Sequence, residues 1–425
     1  MQKKLIALLI VLFFSCSLIK AQVTNDTLQI KLPEAEKMFL DSNFSLLAQK
    51  YNIDAQNALI MQARLWPNPN FGISHGLYSG TLRQFFPTGV NDETTAELSQ
   101  LILLAGKRNK QIKVAQANAK LSEYQFFDLL RTLKYTLRTD FFNIYYLQQS
   151  AKVYNEEITA LQQVVNAFMQ QQGKGYIAEV EVVRIRAQLY SLQSEYNDLQ
   201  NQINDTQSEL KLILQAKPTA YLEPVPDSAL ITKLNPTTFP LNTLIDSALK
   251  NRTDLMIARG NTEVNKLQYD YQKSLAVPDL TLSLGYDEAG GFLTNYVGIG
   301  ASIDLPFFNR NQGNIKSAKA TINYSLASQK STEATVQENV ARSLQKAFAQ
   351  DKMLQNIDAK FTTDFDRLMH EVLLNYQKRN ISILNFLDFY DSYKQNILQL
   401  NSVKFNRVSA FEDINYYTGT NFFNQ

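Results

Sequence analysis

Cysteine is nearly absent: among 425 residues there is one, Cys16, and only two histidines, His75 and His370. A chain this poor in thiol and imidazole offers no disulfide and no thiolate metal site, and neither histidine has a second ligand at metal-binding spacing. Each reads as a packed or solvated residue. There is no HExxH, no glycine-rich phosphate loop after a strand, and no serine-histidine-aspartate set that two isolated histidines support. These absences argue against an enzyme, and no cofactor or resident metal is expected. Long hydrophobic runs are missing as well. After the first 21 residues no stretch of 18 or more apolar residues occurs, so no helix crosses a membrane and any membrane segment has to be β.

The first 21 residues, MQKKLIALLIVLFFSCSLIKA, carry Lys3 and Lys4, an apolar run from Leu5 to Phe14 and a small residue, Ala21, before Gln22. This is the pattern of a secretory signal peptide, so export from the cytoplasm is expected. Cys16 is a candidate lipid-attachment site, although Phe13-Phe14-Ser15 makes a poor lipobox. Cleavage after Ala21 takes Lys3, Lys4 and Lys20 from the 42 basic residues and leaves 39 against 40 acidic ones. No basic excess remains to argue for nucleic acid. An exported chain whose membrane segments must be β points to the outer membrane of a double-membraned bacterium.

Leu280, Leu282, Leu284 and Tyr286 alternate with Thr281, Ser283 and Gly285, and Val297, Ile299, Ala301, Ile303 and Leu305 alternate with Gly298, Gly300, Ser302 and Asp304. A period of two predicts strands at about 279–286 and 295–305, each with one apolar face and one small polar face. A soluble sheet or a membrane barrel wall produces this pattern. It occurs twice. Strands are predicted at about 70–78 and 94–103, and Trp66-Pro67-Asn68-Pro69 aligns with Val277-Pro278-Asp279 at an offset of roughly 210 residues. Four strands cannot close a barrel, and an open edge in lipid leaves backbone groups unpaired at several kcal/mol each. Other copies of the chain must then complete the sheet, and three copies give twelve strands.

The rest is helical. A helix is predicted over Pro33 to Arg64, and the run from Lys107 to about Gln172 holds no proline and no internal glycine, which predicts roughly 100 Å of helix. Such a length predicts a coiled-coil rod or tube. The chain turns at about 171–177, where Gly173 and Gly175 are available for positive φ, and returns as a helix to Lys217. Pro218, Pro224, Pro226, Pro236 and Pro240 predict an irregular linker over 218–241. Helices follow over Asn242 to Lys273 and Gly313 to about Tyr376, a second turn at about 377–381, and a returning helix from Ile381 to Tyr417. The predicted organisation is a signal peptide over 1–21, a first repeat over 22–217, the linker, and a second repeat over 242–425. Phe71, Tyr78, Phe292 and Tyr296 are candidates for interfacial aromatic girdles at strand ends.

Four motifs, WPNPNF from Trp66, LSQLILLAGKRNKQIKVAQA from Leu98, LPFFNRNQGNIKSAKA from Leu305 and YQKRNISILNFLD from Tyr376, resemble those of the TolC-like outer membrane efflux proteins. The branch they resemble most serves heavy-metal cation pumps of the resistance-nodulation-division class. The resemblance implies a homotrimer with a twelve-stranded barrel in outer-membrane lipid and an α-helical tunnel across the periplasm, joined to a periplasmic adaptor and an inner-membrane pump. It implies a constriction where the helical turns meet. Tyr376 and Asp388 match its tyrosine and second aspartate, Asn385 stands in place of the first aspartate, and Ile381 in place of an arginine that the neighbouring Arg379 would replace. Gly173, Gly175, Tyr176, Arg379, Ile381 and Ser382 are the expected adaptor-docking residues. Two other readings stay open: a duct for organic solutes or secreted proteins, and a periplasmic coiled-coil structural protein whose hairpins are soluble.

Overall fold

Long runs free of proline form the helices, and the period-two stretches form the strands. The computed structural model describes residues 26–80, 82–87, 93–289, 293–357, 361–378 and 380–423. The signal segment with Cys16, and Phe292 and Arg379, lie outside the described residues. In chain order the elements are β1 (Asp26–Ile30), α1 (Leu32–Ser42), α2 (Phe44–Ala63), β2 (Asn70–His75), β3 (Tyr78–Ser79), β4 (Gln84–Phe85), β5 (Thr94–Ile102), α3 (Lys107–Gly173), α4 (Glu179–Leu214), β6 (Ala220–Pro224), α5 (Ser228–Thr232), α6 (Leu241–Asn251), α7 (Thr253–Ser274), β7 (Leu280–Ala289), β8 (Thr294–Ile303), α8 (Gln312–Gln355), α9 (Phe361–Gln377) and α10 (Ile383–Thr418). No described helix is long and apolar enough to cross a membrane.

The four expected strands form one sheet in the order β2-β5-β7-β8, antiparallel throughout. The two repeats therefore meet inside the sheet, at the β5–β7 pairing. β5 and β8 each lead into the following long helix through a left-handed residue. Ala105 and Gly106 have φ of 54° and 68° before α3, and Asn311 has φ of 57° before α8. Asn311 tolerates this conformation because its short amide bonds locally, its oxygen accepting from the Asn314 side chain at 2.7 Å, while its nitrogen donates to the Gln272 carbonyl at 2.8 Å.

Several helical expectations need correction. The single helices predicted over 33–64 and 242–273 are each two helices, broken at Asn43 and Arg252, whose backbones are extended. The Asn43 amide donates to the Ile213 carbonyl at 2.9 Å, a bond that holds the break in place. The helix predicted over 313–376 is also two, α8 and α9. The 218–241 linker is not irregular throughout: it contains β6, which pairs in parallel with β1, and the short helix α5. Gln207, almost fully buried, clamps β6 by accepting from the Leu222 amide and donating to the Leu222 carbonyl, both at 3.0 Å.

Contacts gather the described residues into two compact units, and each draws on both repeats. The first comprises 26–43, 134–234 and 349–412. Its apolar core includes Leu161, Ile185, Leu192, Ile203, Phe386 and Tyr390, at about 1.5–3 kcal/mol for each fully buried large side chain. It also buries an ion pair, in which Arg138 donates to Glu412 at 2.8 Å and to Glu36 at 2.6 Å. Burial works against the Arg138 guanidinium, but these two carboxylates hold its pKa above the usual value.

The second unit comprises 44–133, 235–348 and 413–423 and contains the sheet. At the foot of the sheet Lys107 and Asp279 form a largely buried ion pair at 2.6 Å, joining the start of α3 to the start of β7. The C-terminal residues are clipped to α10, where the Asn415 side chain accepts from the Phe422 and Phe423 amides at 2.8 and 2.9 Å.

Candidate functional site

Register assigns the two faces of the sheet. On one face lie Phe71 and Ile73 of β2, Ala96 and Leu98 of β5, Leu280, Leu282, Leu284 and Tyr286 of β7, and Val297, Ile299, Ala301 and Ile303 of β8. On the other lie Gly72 and Ser74, Thr95, Glu97 and Ser99, Thr281, Ser283, Gly285 and Asp287, and Gly298, Gly300 and Ser302, joined by Leu101 and Tyr296, while Gln100 is a polar member of the first face. The first face is apolar and uncovered: Ile299 is 91% exposed, Ile73 70% and Val297 62%. A soluble hairpin would bury these residues against a core, and among the described residues none lies over them. Among the described residues, strands β2 and β8 each have one side unpaired in the sheet. An apolar outer surface, a small polar inner surface and two open edges are what a segment of membrane barrel requires.

The helical turns carry the other expected residues, all in the first unit. α3 ends at Gly173, and the reversal is closed by amides of Gly175 and Tyr176 donating to the carbonyls of Gln172 and Gln171 at 2.8 and 3.0 Å. Gly175 has φ of 75°, which its lack of a Cβ permits. Gly173, Gly175 and Tyr176 are exposed. At the second turn Ser382 caps α10, its hydroxyl accepting from the Asn385 amide at 3.2 Å. Ile381 is half-buried and packs against the core of this unit.

Among the expected constriction residues the structure brings two together and sets one apart. Asn385 and Asp388 lie one turn apart on α10, both exposed, while Phe386 and Tyr390 on the same helix face the core. Tyr376 is only 4% exposed. Its ring stacks on Phe386 at 4.3 Å and leans on Phe168 at 5.2 Å, and its buried hydroxyl has no hydrogen-bond partner. Burial, and secondarily Glu181, raises its pKa above the usual phenol value. Tyr376 is thus a packing residue of the helical core.

Sequence reasoning missed a cluster of ionisable groups between α3, α4 and α10. Lys394 of α10 donates to Glu195 of α4 at 2.7 Å and to Asp391 at 3.1 Å, and Tyr154 of α3 donates to the same Glu195 at 3.2 Å. Beside them Glu157 of α3 is 4% exposed, and neither carboxylate oxygen has a hydrogen-bond partner. Burial pushes the Glu157 carboxyl up to about 8, opposed by Lys394 and reinforced by Asp391, Glu195 and Glu156. The i,i+3 spacing of Asp391 and Lys394 was the one signal that local sequence held.

Comparison with known proteins bears on the family and the fold. The family model for the outer membrane efflux protein matches residues 37–215 and 244–361, well over half of the chain. The cobalt-zinc-cadmium resistance protein CzcC of Cupriavidus metallidurans is 24% identical over 290 residues, a match covering 68% of this chain and 66% of that relative, just under two thirds of its length. Among solved structures, the Campylobacter jejuni CmeC outer membrane channel superposes with a TM-score of 0.74 at 16% identity, covering 92% of this chain and 86% of that one. CusC superposes with a TM-score of 0.72 at 16% identity, covering 92% of each chain.

Proposed function

The chain belongs to the outer membrane efflux protein family, and we propose that three copies form a passive exit duct for heavy-metal cations, crossing the outer membrane as a twelve-stranded barrel. The observation that carries this reading is the sheet: an uncovered apolar face opposite a small polar one, with β2 and β8 open at the edges. Pairing β8 of one copy with β2 of the next satisfies every edge, as lipid demands at several kcal/mol for each unpaired group. The duct performs no chemistry. It supplies a polar, wet path, so a solute driven from elsewhere never enters hydrocarbon. The choice of heavy-metal cations is supported by the cobalt-zinc-cadmium resistance relative.

An adaptor and an inner-membrane pump complete the assembly in this reading, and the adaptor docks on the exposed turns through Gly173, Gly175, Tyr176, Ile381 and Ser382. Asn385 and Asp388, exposed on α10, line the constriction, where three Asp388 carboxylates about a threefold axis attract cations. Tyr376 supports this constriction from within the helical core by packing on Phe386.

The test is conductance of the purified protein in planar bilayers, with divalent cations titrated on the side of the helical turns. The expected result is a pore that divalent cations block, with the block relieved several-fold in Asp388→Ala. Absence of any pore from a folded trimer would sink the duct, and a pore indifferent to both would remove Asp388 from the constriction. Loss of the protein is expected to sensitise cells to cobalt, zinc and cadmium.

A further inference from the structure

A passive duct leaves Glu157 without a purpose, yet it is the most anomalous acid among the described residues. It lies in the first unit at 4% exposure with both carboxylate oxygens unpartnered. The groups facing it are Tyr154 and Glu156 on its own helix, Glu195 from α4, and Tyr390, Asp391 and Lys394 from α10. The one cation in this set, Lys394, is committed to Glu195 and Asp391. The Tyr390 hydroxyl donates to the main-chain carbonyl of Glu157 at 2.5 Å, so the two helices touch at this residue.

An ionised carboxylate here is desolvated and repelled by Asp391, Glu195 and Glu156, with Lys394 its one attraction, whereas the protonated form escapes the repulsion and most of the desolvation cost. Among the described residues no group of three His, Cys, Asp or Glu side chains is placed to hold a metal ion. The ligand that suits this cluster is the proton. The geometry points to a proton-operated latch, in which protonated Glu157 lets α3 and α4 pack against α10 and ionised Glu157 releases α10 from them.

The sign follows from the direction of the shift. The packed carboxyl titrates at about 8 against an ordinary 4.5, so packing is favoured at low pH and lost as pH rises toward 8. The equilibrium for release is expected to rise about fifty-fold between pH 6 and pH 8 and to level off above that. Because α10 carries Asn385 and Asp388, release acts on the helix that lines the proposed constriction. The latch itself stands on the packing of this unit and goes beyond the duct.

The test is hydrogen exchange by mass spectrometry on the full-length protein in nanodiscs from pH 6 to pH 9, corrected for intrinsic rates and compared with Glu157→Gln. Peptides covering 154–160 and 386–398 are expected to lose protection by about fifty-fold between pH 6 and pH 8 in the wild type, and to stay level in the variant. Lys394→Met, which keeps the carboxyl and removes the cation that favours its ionisation, is expected to move the transition to higher pH. A level wild-type profile, a Glu157→Gln profile as steep as the wild type, or an unmoved transition in Lys394→Met overturns the latch. Exchange requires no conduction, so a failed latch leaves the duct untouched, and a failed duct leaves the exchange result readable.

Discussion

The sheet and the helical core depart from the usual partition of side chains in opposite directions. In the sheet, residues that belong inside a protein lie outside: Ile299, Ile73 and Val297 are exposed. In the helical core, groups that belong in water lie inside: Glu157, Asp140 and the Tyr376 hydroxyl are buried with unpartnered oxygens. Hydrophobic exposure on this scale has a permanent remedy, since lipid covers it once and for all. A buried carboxyl has a conditional remedy, because a proton comes and goes with pH. The contrast separates a region built to stay in place from one whose packing answers to its surroundings.

The contrast breaks most sharply where the helical core is already satisfied. Arg138→Ala removes the ion pair to Glu412, 2% exposed, and is expected to cost about 3–5 kcal/mol in urea unfolding of the purified protein. In the sheet, Ile299→Arg is expected to cost about 2–4 kcal/mol and to lower the yield of heat-modifiable trimer, because it sets a charge on the lipid-facing surface. Thr281→Arg, on the opposite face, is expected to spare the yield and alter conductance. Asp140, pushed up to about 7 by burial and Glu209, makes its contribution in full below its ordinary value near 3.8 and loses it as pH rises through 7. Asp140→Asn is therefore expected to remove about 2–3 kcal/mol of the fall in stability between pH 5 and pH 8, read from unfolding midpoints. Ser382→Ala is expected to cost about 1 kcal/mol, seen as faster amide exchange in the first turn of α10.

The sheet was legible because its signal is local. Leu282, Leu284 and Tyr286 alternate with Ser283 and Gly285 whatever the rest of the chain does, and the structure places all four strands within a few residues of expectation. What failed to show depends on distant partners. β1 and β6 pair across the chain, with Gln29 bonded to Glu223 194 residues away, and neither segment alternates strongly enough to announce itself. Glu157 follows Glu156 and reads as part of a solvated face; its burial comes from Tyr390, 233 residues away. The motif resemblance places Tyr376 at a constriction, and its packing on Phe386 and Phe168 depends on residues that local sequence does not announce. Asn385 and Asp388 were expected in the constriction, and both are exposed on one helix.

The β5–β7 pairing carries a consequence for biogenesis. Its partners lie about 180 residues apart, and such non-local pairing forms slowly because loop closure must precede any reward. On the ribosome, and during export, β2 and β5 have only each other until the second repeat has been made, and a lone hairpin is marginal in water. The continuous apolar face is thus not formed until the second repeat is present. It is assembled only when the last strand, ending at Ile303, has arrived to complete it.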